Sequence, residues 1–130
     1  MALTRDQKRA CHAYERVKQV QANDLKDYKV LVNSLGPNII RSGLVASLSF
    51  LQRYKGDKAK QHVVHDLSKG LKLCGVLAEE YDNVDEFADC VRKLESEKYM
   101  LTTRETLKLV QWLKRALQAR ETEDKSQKTE

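Results

Sequence analysis

The chain has one proline, five glycines and, at 6%, few aromatic residues. With Leu, Ala, Lys, Gln and Glu abundant, that scarcity favours helix over strand, and no segment alternates apolar and polar residues as a half-buried strand would. The three cysteines, Cys11, Cys74 and Cys90, are odd in number, far apart and without a CxxC. They argue against a disulfide framework and a zinc site, and read as small buried or half-buried residues. No apolar run approaches the ~20 residues of a membrane span. The opening MALTRDQKRA lacks the apolar core of a secretory signal, so a cytoplasmic location is expected. There is also no GxxxxGK[ST], GxGxxG or GxSxG. Cofactors are therefore expected to be none, and no membrane or small-molecule partner is expected.

What the chain does have is charge. Charged residues make up 33% of its 130 positions, hydrophobic ones 41%, and the formal net charge is +5. That length suits one domain with one core. The charge is segregated. Residues 41–72 hold seven Lys/Arg against Asp57 and Asp66, and residues 76–97 hold eight acids against Arg92 and Lys93. Residues 104–120 return to five basic residues against Glu105. A two-sided molecule is expected.

The breakers divide the chain into about six helices, an all-α compact bundle. Thr4 with Gln7 fits a capping box opening a helix to about Gln21. A second helix is predicted over Leu25–Leu35. Gly36-Pro37 is expected to end it and start a third, with Gly as C-cap and Pro as first helical residue. The third runs towards Lys55, with Ile40, Leu44, Leu48 and Leu51 as its buried stripe. Gly43 falls inside it at a cost of about 1 kcal/mol against Ala, which close approach of another helix would offset, one from within the chain being preferred over one from a neighbouring subunit. Asp57 is expected to cap a fourth helix ending near Gly75, and Asn83 with Glu86 a fifth ending near Leu94. Thr102 with Glu105 is expected to open the last, which ends near Arg120. Residues 1–120 thus form a single α-helical domain. Residues 121–130, ETEDKSQKTE, contain no apolar side chain and are expected to be a disordered tail.

On a helical wheel three basic stripes stand out. Arg5, Arg9, His12 and Arg16 are spaced i, i+4, i+7, i+11 beside the apolar Ala10, Ala13, Tyr14, Val17 and Val20. Lys58, His62, His65, Lys69 and Lys72 lie opposite Val63, Val64, Leu67, Leu71 and Cys74. Arg104, Lys108, Gln111 and Arg115 oppose Leu107, Leu109, Val110, Leu113 and Leu117. Each of the four-residue stripes lays cations along about 16 Å of helix. Like charges so spaced repel, and a polyanion relieves that repulsion while releasing its own counterions. A solvated face is the competing reading of each stripe. His62 and His65 could share a ligand, but no cysteine or carboxylate set completes a metal site. Cys11 and His12 are adjacent, so their side chains diverge and form no dyad. Trp112 reads as core or interface packing rather than a base-stacking platform.

Three stretches carry a family resemblance: RACHAYERV (Arg9 to Val17), LGPNIIRSGLVASLSFL (Leu35 to Leu51) and YMLTTRETLKLVQWLKRALQA (Tyr99 to Ala119). The chain resembles the small subunit of the type III-B CRISPR effector, the Cmr or RAMP-module complex, from about Arg5 to Ala119. The resemblance implies a helical subunit without nuclease activity. Further copies of it stack head to tail beside the backbone and large subunits, forming a groove whose cations contact the phosphates of guide RNA and target RNA without reading bases. The basic N-terminal helix of the family matches Arg5, Lys8, Arg9 and Arg16, and its late Trp-Leu-Lys-Arg matches Trp112, Leu113, Lys114 and Arg115. Met100 stands where the family often has a basic residue, and Leu117-Gln118 where it often has Phe-Ala.

The candidate phosphate contacts are Arg5, Lys8, Arg9, Arg16, Arg41, Lys58, Lys69, Lys72, Arg104, Lys108, Lys114 and Arg115. The alternative is a protein-only scaffold joining partners through its acidic and basic faces. An enzyme is not expected, since no nucleophile, metal set or phosphate loop is present.

Overall fold

The computed structural model describes residues 2–128, with side chains described through Lys125. Six helices and no strand occur among them: α1 (Arg5–Gln19), α2 (Ala22–Ser42), α3 (Leu44–Arg53), α4 (Asp57–Leu73), α5 (Val84–Arg92) and α6 (Ser96–Lys128). α4 and α6 pack against each other, and each packs against both α1 and α2. α3 lies on α2, and α5 packs on α3 and α4. The core runs through all six elements, centred on Tyr28, Leu44, Leu48, Leu67, Leu71, Phe87, Leu109 and Leu113.

Two helix starts follow their local chemistry. The Thr4 hydroxyl accepts from Gln7 N at 3.1 Å while the Gln7 side chain accepts from Thr4 N at 2.8 Å. Asn83 accepts from the backbone of Asp85 and Glu86 at 2.8 and 3.2 Å. Each satisfies amides that an open helix end leaves without partners.

Other boundaries differ from expectation. Gly36-Pro37 does not interrupt α2, which passes through Pro37 to Ser42. Pro37 faces solvent, so its ring clashes with no neighbouring helix, and the buried Leu35 and Ile39 on either side hold α2 on the core. The break comes instead at Gly43, with φ 89° and ψ 166°. Its N–H closes α2 on Ile39 O at 2.8 Å, and its carbonyl accepts from Ser47 N at 3.1 Å and Ser47 Oγ at 2.8 Å to open α3. The Tyr99 hydroxyl of α6 accepts from Val45 N in the first turn of α3 at 3.1 Å. Ile40 therefore belongs to the outer face of α2 and is 77% exposed rather than buried.

Asp57 is the first residue of α4, and Gly56 holds the capping position. Thr102 and Glu105 lie well inside α6, which starts at Ser96. The Thr102 hydroxyl donates back to Lys98 O at 2.7 Å. α6 also continues past Arg120, so residues 121–128 of the expected tail are its last turns, while residues 129–130 lie outside the described residues. Lys29 pairs with Glu121, and Thr122 Oγ donates to Gln118 O at 3.0 Å.

The glycine of close approach is Gly70. A Cβ there would fall 2.8 Å from a Leu109 methyl and 3.0 Å from the His12 ring. Its bare backbone lets α4 meet α1 and α6 at one level.

Candidate nucleic-acid interface

The α1 stripe is turned inward except at its first member, Arg5, which is exposed. Arg9 is 5% exposed and makes a two-bond fork with Glu105 of α6, Nε to Oε1 at 2.8 Å and Nη2 to Oε2 at 2.7 Å. Its Nη1 donates to Asp6 at 3.0 Å. One turn on, His12 Nε2 donates to the Asp66 carbonyl of α4 at 2.6 Å. Arg16 Nε then donates to Asp66 Oδ1 at 2.6 Å, and Tyr28 of α2 donates to Asp66 Oδ2 at 2.7 Å. α1, α2, α4 and α6 are thus joined by two buried carboxylates, Asp66 and Glu105.

Protonation follows from these partners. Burial pushes the Glu105 carboxyl up, but the bonds from Arg9 and the Cys74 thiol outweigh it and hold it below the usual range. Arg9 is raised, first by its bonds to Glu105. Burial lowers His12, and its bond to the Asp66 carbonyl recovers only part of the loss. Burial and then the charge of Asp66 raise Tyr28. Burial, with its bond to Glu105, pushes the Cys74 thiol up to about 11.

The wheel could show that Arg9, His12 and Arg16 share a face, but not that the face looks inward. The signal was in the partners. Asp66 is the one acid among Val63, Val64, Leu67 and Leu71, and Glu105 sits among Thr102, Thr106 and Leu109. Lone carboxylates on apolar faces ask for a buried cation.

The other two stripes meet solvent. On α4, Lys58 and Lys72 are exposed, and Lys69, His62 and His65 half-buried. On α6, Arg104, Lys108, Gln111 and Arg115 are exposed and Lys114 half-buried. The two helices that carry these cations, α4 and α6, both pack on α1. The charge of Lys69 is felt at His12, that of Lys108 at Asp6, and that of the exposed Arg5 at both Cys74 and Glu105. Lys8 is half-buried on α1, and Arg41 is exposed at the far end of α2. Between α1 and α4 opens a groove of about 470 Å³ lined by Arg16, Lys58, His62, His65, Asp24 and Asp82, with Gln21 and Gln61. Trp112 is half-buried, donates to Asp6 at 3.1 Å and carries the Arg115 guanidinium 4.6 Å from its ring centre. Both contacts are packing within the chain. Glu79, Glu80, Asp82, Asp85, Glu86 and Asp89 are all exposed on α5 and the segment before it. His65 Nε2 lies 3.8 Å from Glu80 and 3.6 Å from Asp82, so the acidic and basic surfaces adjoin there.

Among the described residues no three His, Cys, Asp or Glu side chains converge as a metal site, and every buried side-chain nitrogen or oxygen has a partner. No described helix is long and apolar enough to cross a membrane. The fold and surface define a small all-α protein whose distinctive chemistry is cationic and lies on the outside. The chain belongs to the Cmr5 family: the family model described as CRISPR-associated protein (Cas_Cmr5) matches residues 5–120. That is the family to which its three sequence stretches are similar. A curated relative, the CRISPR system Cmr subunit Cmr5 of Thermus thermophilus, is 29% identical over 117 residues, 89% of this chain and 95% of its own length. The crystal structure of a CRISPR-associated Cmr5 family protein, also from Thermus thermophilus, superimposes with a TM-score of 0.74 at 29% identity, covering 90% of this chain and 97% of that one.

Proposed function

We propose that this protein is a non-catalytic small subunit of an RNA-guided type III-B CRISPR (Cmr) effector. It stacks in several copies beside the backbone and large subunits, and its cations hold the phosphate backbone of the guide–target RNA duplex. The observation that carries the RNA role is the pair of solvent-facing stripes on the two helices that pack on α1: Lys58, Lys69 and Lys72 on α4, and Arg104, Lys108 and Arg115 on α6. Arg5 and Lys8 extend the set at the start of α1. Arg9 is withdrawn from it, since all three guanidinium nitrogens already have carboxylate partners. Arg16 keeps one edge on the groove. Arg41 and Lys114 lie outside the set, one at the far end of α2 and the other half-buried.

Long mobile cations suit phosphates and carry no base information, which fits recognition delegated to a guide strand. Each phosphate neutralised should contribute about −0.7 to −0.9 to the slope of log affinity against log salt. The test is anisotropy of a labelled RNA duplex at several salt concentrations. Lys58→Glu/Lys69→Glu/Lys72→Glu and Arg104→Glu/Lys108→Glu/Arg115→Glu proteins should bind at least about tenfold more weakly, with a shallower slope and unchanged melting. Wild-type affinity in both charge-reversed proteins sinks the RNA role.

A second reading rests on the exposed acids of residues 79–89: a scaffold in which acidic and basic surfaces join partners or copies without RNA. It is favoured if self-association weakens with salt yet is unaffected by adding or digesting RNA.

A further inference from the structure

The contact between Arg16 and His65 constrains where protons can sit. A guanidinium has only donors, so across 3.2 Å Arg16 Nη2 donates to His65 Nδ1. The imidazole proton is then on Nε2, the nitrogen facing Glu80 and Asp82. A second proton can go only to Nδ1, the atom now accepting from Arg16. Two N–H groups would confront each other, and the contact would open. The group able to bridge them is one with several acceptor oxygens.

Three further donors line the same groove. His62 precedes His65 by three residues on α4, Lys58 lies one turn earlier, and Gln61 sits between them. The charged groups facing the imidazoles are Arg16 from α1, Asp24 from α2, Lys58 from α4, and Glu80 and Asp82 from the segment before α5. Asp66, behind Arg16, is bonded to it and to Tyr28. Among the groove-lining residues two cations face two carboxylates, so with neutral imidazoles the groove has little pull on an anion. Each imidazolium adds one positive charge to it.

We infer that the α1–α4 groove is a proton-gated site for a tetrahedral oxyanion, a phosphodiester of bound RNA, with Arg16, Lys58, His62 and His65 as its donors. The identity of the anion rests on the proposed RNA role, whereas the site itself rests on the groove. Histidine is the side chain whose charge changes between about pH 5 and pH 8, so RNA affinity acquires a component that grows as pH falls through that range.

Two measurements on the full chain test this. The first follows the imidazole C–H resonances of His12, His62 and His65 by NMR as sulfate, a dianion throughout, replaces chloride at constant ionic strength. His62 and His65 should shift with sulfate at about pH 6 and not at about pH 8, while His12, buried against Asp66, stays still. The second compares RNA-duplex affinity of the wild type and His62→Gln/His65→Gln. The advantage of the wild type over the variant should grow at least about fivefold between about pH 8 and about pH 6. Sulfate shifts without RNA binding support the anion site and overturn the RNA reading. RNA binding with no sulfate shift, or with the same pH dependence in the variant, overturns the gate and leaves the RNA reading standing. Sulfate-insensitive imidazoles would mean that protonated His65 pairs with Glu80 and Asp82 instead, which also overturns the gate.

Discussion

Glu105 is 2% exposed and Arg9 5%, so each charge depends on the other. Removing one partner strands the other, and Glu105→Ala should cost about 3–5 kcal/mol in urea unfolding. Replacing both, as Arg9→Met/Glu105→Leu, should cost far less or nothing, because the desolvation of two charges disappears with them. A double variant as unstable as the single one would show that packing, not charge, dominates the site. His12 makes a different prediction. Its folded pKa lies below the ordinary 6.5, so beneath that pH the unfolded chain binds a proton the native chain refuses. Stability should therefore be complete above about pH 6.5 and fall as pH drops, with a slope approaching about 1.4 kcal/mol per unit. His12→Gln keeps a donor for the Asp66 carbonyl and should flatten that slope between about pH 7 and pH 5. An unchanged slope in the variant would place the titrating group elsewhere.

At the scale of the element, two glycines of one sequence stretch play different parts. Gly43 holds φ 89° and ψ 166°, a region nearly closed to other residues, so Gly43→Ala should destabilise by about 1–3 kcal/mol. Gly36 is ordinary helix, and an added Cβ would rest 3.7 Å from a Val110 methyl. Because Gly36 precedes Pro37, that Cβ would also crowd the proline Cδ in helical backbone, so the usual gain of Ala over Gly is offset and Gly36→Ala should change stability by less than about 1 kcal/mol. Thermal or urea unfolding decides both, and a loss at Gly36 as large as that at Gly43 would contradict this assignment of the bend. Six helices and two of their caps were legible from sequence because capping chemistry is local: Thr4 with Gln7 and Asn83 with Glu86 need nothing distant. Gly36-Pro37 misled because tertiary contacts outweighed a local penalty of about 3 kcal/mol for a proline in a helix. Thr102 with Glu105 misled because a threonine three residues before a glutamate looks the same within a helix as at its start. The approach of Tyr99 to within 3.5 Å of a Gly43 Cβ position agrees with an intramolecular neighbour there.

Across the whole molecule, α6, at 33 residues the longest of the described helices, is tied to the end of α1 at Arg120, whose Nη1 donates to Val17 O and Val20 O, both at 2.7 Å. These carbonyls close the end of α1: Val17 O also accepts from Val20 N at 3.2 Å, and Val20 is the residue that caps the helix. Arg120→Ala should therefore cost more than deleting residues 121–130, whose Lys29–Glu121 pair is 44% and 37% exposed and worth about 0–1 kcal/mol. A larger loss on deletion would assign the end of α6 a role in the bundle. The candidate interface was half legible at this scale. Charge and spacing identified the α4 and α6 stripes, but rotation about the α1 axis depends on Asp66 and Glu105, 50 and 96 residues from their arginines. That separation also sets an order of events during synthesis. At about 5–20 residues per second, Arg9 spends roughly 5–20 s without its carboxylate, and α1 cannot complete its docking until α6 has emerged from the ribosome. Ribosome-stalled chains ending before Glu105 should expose α1 to protease, and chains long enough to present all of α6 should protect it.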